Sequence, residues 1–62
     1  MIHENKLRHF KVYGVVRGEN AEKFLGTLGM VCTPLYGREH CKKVYRETAR
    51  KIRVVEFNPN NA

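Results

Sequence analysis

The segment Ala21-Glu22-Lys23-Phe24-Leu25-Gly26-Thr27-Leu28-Gly29-Met30-Val31-Cys32-Thr33-Pro34-Leu35-Tyr36 decides how this chain folds. Its apolar residues Ala21, Phe24, Leu25 and Leu28 keep the i, i+3, i+4, i+7 spacing of one helical face, and Asn20 stands where an N-cap belongs. Gly29 suits the left-handed position after a helix, with Met30 folding back on Leu25. Gly26 opposes this helix by up to about 1 kcal/mol relative to Ala, or else permits a close packing contact. Further on, Thr33-Pro34 reads as a cap followed by proline at the first helical position, so a second helix begins there or, less smoothly, after Gly37.

That second helix is clearest from Cys41 onward, where Cys41, Val44, Tyr45, Thr48, Ala49 and Ile52 form an apolar stripe, with Lys42, Lys43, Arg46 and Arg50 largely outside it. In outline, residues 21–36 resemble a helix-turn-helix, with Leu28-Gly29 opening the turn, Thr33 starting the recognition helix and Leu35 as its inward anchor. The resemblance implies a helix laid in the DNA major groove. Gly26 in the first helix and Gly37 in the second depart from that pattern.

Outward from this centre lie two strands. His9 to Arg17 alternates Phe10, Val12 and Val16 on a core face with Lys11, Tyr13 and Arg17 on the other, and Gly14 marks a bulge or a close backbone approach. Lys51 to Phe57 is rich in β-branched and aromatic residues, but Ile52 and Val54 share one face while Val55 and Phe57 share the other, so a bulge intervenes or both faces are covered. The fold class read from this is a small two-layer α+β domain of order strand, helix, helix, strand, with a possible helix-turn-helix and a C-terminal strand. Residues 9–57 form its single folded unit, between a flexible basic segment at 1–8 and a flexible tail at 58–62. Sixty-two residues leave no room for a second core, and a two-stranded sheet is marginal alone, which argues for a homodimer.

The formal charge is +6, and seven of the cations lie between Arg38 and Arg53 against only Glu39 and Glu47. A polyanion-binding surface needs such a concentration. The function read from the sequence is therefore nucleic-acid binding, DNA before RNA, by a regulatory or architectural protein that is not an enzyme. Its site is Tyr36, Arg38, His40 and Lys43 near base edges, with Lys42, Arg46, Arg50 and Arg53 on phosphates. A second nucleic-acid geometry uses Lys11, Tyr13, Val15 and Arg17 on one strand face, where a lone aromatic between cations stacks a base. The runner-up is an inhibitor or adaptor steered to an acidic protein surface, with Tyr13, Tyr36, Tyr45, Arg38 and Arg46 as anchors. A third reading is a structural component of a larger assembly.

Other chemistry finds little support. Cys32, Cys41, His40, His3 and His9 lack the compact spacing of a zinc site, and no metal or cofactor follows. Adjacent His40 and Cys41 point about 100° apart on a helix, so they make no nucleophile and base pair. The six acidic residues are all Glu and show no paired-acid pattern. The small side chains of the second helix fit a protein core better than a membrane surface. The absence of a signal peptide or apolar span points to a cytoplasmic or intracellular protein, where Cys32 and Cys41 stay free thiols.

Overall fold

The computed structural model describes residues 5–59. The expected loose ends fall in part on residues 1–4 and 60–62, outside the described residues. Within them the chain forms β1 (Lys6–Val16), β2 (Lys23–Cys32), α1 (Pro34–Tyr45) and β3 (Ala49–Phe57). The strands make one antiparallel sheet of order β2-β1-β3, with the first strand at its centre. The fold is thus β-β-α-β rather than strand-helix-helix-strand.

The decisive segment is a strand. Phe24, Leu25 and Leu28 keep helical spacing, but Leu28, Met30 and Cys32 also keep the two-residue period of a strand, and β2 pairs with β1 from Lys6↔Cys32 to Gly14↔Lys23. Gly26 and Gly29 each weaken a helix by about 1 kcal/mol, and Thr27 and Val31 are β-branched, so the ladder outweighs a poor helix. A register shift between Val12 and Tyr13 leaves Leu25 as the extra residue of a bulge, which keeps both Leu25 and Leu28 against the core. Gly29 lies in mid-strand opposite His9, not at a helix end. No helix-turn-helix exists.

The single helix starts where the sequence placed it. Thr33 is the N-cap, its side chain accepting a hydrogen bond from the Tyr36 amide, and Pro34 opens the first turn. The helix ends at Tyr45, however, and the stripe expected to run to Ile52 is divided between α1 and β3. Gly37 and Cys41 are its buried residues, whereas Leu35, the expected inward anchor, is 71% exposed, and Val44 also faces outward. Gly37 explains the close approach of helix to sheet, because a Cβ there would collide with the Phe10 ring and come within 2.9 Å of the Cys32 sulfur.

Phe10, Val12, Cys32 and Cys41 form the core between helix and sheet, ringed by Leu25, Leu28, Met30, Tyr45, Ile52 and Val54. At one end Arg8 crosses the central strand, its Nε donating to the Cys32 carbonyl at 2.8 Å and its Nη1 to Glu56 at 2.8 Å. The molecule measures 40 × 26 × 16 Å, two layers thick. One helix covers one face of the sheet, and among the described residues no element lies over the other.

Candidate functional site

The helix-covered side carries a groove of about 860 Å³, lined by α1, by the start of β3 and by Arg17. Tyr36 and His40, one helical turn apart, stack at its lip with rings 6.0 Å apart and nearly parallel at 16°. Along the same helix Lys42, Lys43 and Arg46 follow, with Arg17 and Arg50 reaching in from the other elements; Glu39 supplies the carboxylate of the lining. Arg17 donates from Nε to the Glu47 carbonyl (3.1 Å) and from Nη2 to the Arg46 carbonyl (3.2 Å), satisfying acceptors that a helix end leaves open. Arg50 donates to the Glu19 carbonyl at 3.0 Å. Both guanidinium groups are positioned by neutral carbonyls and keep their charge uncompensated there.

The uncovered side of the sheet is different in kind. Residues opposite one another in the ladders share a face, so Leu7 and Val31, Lys11 with Thr27 and Val55, His9 with Phe57, and Tyr13 with Phe24 and Arg53 all lie on it. Leu7 (61%), Phe24 (53%) and Val31 (69%) are exposed there. Its charges are mostly spoken for. Arg53 lies over the Tyr13 ring at 4.5 Å and makes two bonds to Glu22, at 2.9 and 3.1 Å. That bonding lowers the Glu22 carboxyl below its ordinary value and raises the Arg53 guanidinium. Lys11 lies 4.9 Å over the Phe57 ring, against which His9 packs, and Phe24 sets its edge to Tyr13 at 5.5 Å.

The expected site residues are therefore only partly together. Tyr36, His40, Lys42, Lys43, Arg46 and Arg50 meet at the groove. Arg53 is on the opposite face, bound to Glu22, and Arg38 is exposed on the helix outside the groove lining. The nucleic-acid reading does not survive this. Among the described residues there is one short helix, hence no basic second helix to enter a groove and no first helix to brace it, and the preference for DNA falls with it. The strand-face version fails too, because Arg53 and Lys11 already occupy the ring faces of Tyr13 and Phe57. The runner-up fares no better as drawn: Tyr13 is on the open face, Tyr36 at the groove and Tyr45 against the core, so its three tyrosines share no surface. The homodimer argument rested on two strands, and the sheet has three.

Leu7, Phe24 and Val31 are the exposed residues of the uncovered face that sequence reasoning missed, Leu7 because it falls in the segment expected to be flexible. Phe24 was assigned to the core face of a helix that does not exist. The usable signal was the alternation of Thr27, Gly29 and Val31 with Leu28, Met30 and Cys32.

Among the described residues no group of three or more His, Cys, Asp or Glu side chains is placed to hold a metal ion, and no helix is long and apolar enough to cross a membrane. Cys32 and Cys41 are buried free thiols, and burial pushes Cys41 up from its ordinary value, with Cys32 close by adding to the effect. Comparison with protein-family models, with curated proteins and with solved structures gives no match.

Proposed function

We propose that this chain is a protein-interaction module that docks the uncovered face of its sheet on an apolar patch of a different protein. The observation that carries this reading is the exposure of Leu7, Phe24 and Val31 on a face that no element among the described residues covers. An antiparallel sheet with one solvated face ordinarily alternates apolar with polar residues, and here large apolar side chains stand exposed at both ends of the face, Leu7 beside Val31 and Phe24 beside Tyr13, as two anchor points for a partner.

Charge selects the partner. Glu22 compensates Arg53, while the ladders bring Lys11 and Lys51 to the same face. A second copy would bring these cations against their own kind on a chain already carrying +6, and like charges juxtaposed oppose association. The partner is thus an apolar surface of another protein without cations opposite Lys11 and Lys51. The free thiols Cys32 and Cys41 favour a reducing, intracellular setting for this encounter.

A photoreactive phenylalanine analogue at Phe24 or at Val31, with Leu35 on the helix side as control, tests the proposal in the source cell. One protein captured from both sheet positions and not from Leu35, whose purified complex is lost with Phe24→Asp, is the expected result. A self-crosslinked dimer, an oligonucleotide adduct, or equal capture from Leu35 would each overturn it.

A further inference from the structure

The groove on the other side of the molecule plays no part in sheet-face docking, and its two ends differ chemically. We infer that it binds a small ligand that joins a planar ring to two or more phosphates, as a nucleoside diphosphate does. The ring end is the Tyr36–His40 stack, which leaves the Tyr36 ring 60% exposed and accessible to a second ring. The phosphate end is Lys42, Lys43, Arg46, Arg17 and Arg50.

Three features support a bound anion over a merely solvated helix face. Lysines in the last turn, Lys42 and Lys43, are accounted for by the helix dipole, but Arg17 and Arg50 come from other elements onto the same groove. Both are held by backbone carbonyls, which orients them without neutralising them, as recognition of phosphate requires. The carboxylate-paired cations Arg8, Lys23 and Arg53 are not among the lining residues. The carbonyl end of the helix would repel an anion, and Arg17 caps that end by bonding the Arg46 and Glu47 carbonyls.

Size fits as well. From the middle of the Tyr36–His40 pair to the middle of the Lys43–Arg46 pair is about 10 Å along a helix rising 1.5 Å per residue, about the span from a nucleobase to its terminal phosphate. A groove of about 860 Å³ lies within the range of small-molecule sites. Glu39 in the lining would repel phosphates, which places them toward Arg46 and away from that carboxylate.

The test is calorimetric titration of the whole chain with ADP, pyrophosphate and adenosine separately, with amide chemical shifts to locate binding. ADP should bind about tenfold or more tighter than either fragment, given the worth of one stacked base, and should shift amides of α1 and of the first residues of β3. Arg46→Ala should weaken ADP and pyrophosphate alike, whereas Tyr36→Ala should weaken ADP by about tenfold and leave pyrophosphate unchanged. Both side chains are exposed, and circular dichroism checks that the variants fold. No binding of ADP, pyrophosphate as tight as ADP, insensitivity to Tyr36→Ala, or shifts confined to the open sheet face would overturn the inference. None of these outcomes bears on docking by the other face.

Discussion

Gly37 shows how much a single residue decides here. Ala is the better helix former by about 1 kcal/mol, yet a Cβ at this position runs into the Phe10 ring, and Phe10 is fully buried. Overpacking costs about 1–3 kcal/mol, so Gly37→Ala should lower stability in urea titration despite its gain in propensity. An unchanged or raised midpoint would mean that the helix rides higher on the sheet than described. Cys41, on the same buried helix face, sets a pH limit. Its thiol is held above the ordinary 9.0 by burial and by the neighbouring Cys32, so above that pH the unfolded chain loses a proton that the folded chain keeps. Stability contributed by this group is therefore complete below pH 9.0 and declines as pH rises through the folded-state value. Denaturation midpoints measured from pH 8 to 10.5 should fall more steeply for the parent than for Cys41→Ala, and parallel curves would remove the thiol from the account.

At the scale of elements, the helix start is held by one local bond and the sheet end by one long side chain. Thr33→Ala deletes the cap on the Tyr36 amide and should cost about 1 kcal/mol, read as a lower melting temperature. Arg8→Ala should cost more, about 2–3 kcal/mol, because it leaves the Glu56 carboxylate and the Cys32 carbonyl without a charged donor. Hydrogen exchange should then quicken at the Cys32 and Glu56 ends of the outer strands before it does so in α1. The legibility of these elements followed their signals. Thr33-Pro34 was readable because cap and proline act within one turn, the first strand was readable from alternation, and the last from its β-branched and aromatic residues. The Lys23–Cys32 strand was not, because its bulge at Leu25 superimposes helical spacing on strand spacing, and only pairing with the Lys6–Val16 strand separates the two. Lys42, Lys43, Arg46 and Arg50 stood out by charge, whereas Arg17 joins the groove only through the fold, and the open face depended on knowing that Phe24 lies in a strand.

For the molecule as a whole, the question is whether the uncovered face is spare or structural. A chain of this size gains no more than about 3–5 kcal/mol from a single core, so a face that contributed to folding would show itself at once. Leu7 and Val31 are cross-strand partners on that face, at 61% and 69% exposure, and threonine preserves their β preference. Leu7→Thr with Val31→Thr should therefore stay within about 0.5–1 kcal/mol of the parent. Phe10→Ala, on the covered face of the same sheet, should cost about 3–5 kcal/mol and leave the chain largely unfolded. A face that tolerates such change is available to another molecule. If the threonine pair instead unfolded the isolated chain, those residues would be serving its own core, and docking through the sheet would lose its premise. Comparable losses at the two faces would carry the same meaning, since the asymmetry between a sealed side and an open one is what gives this small fold a surface to use.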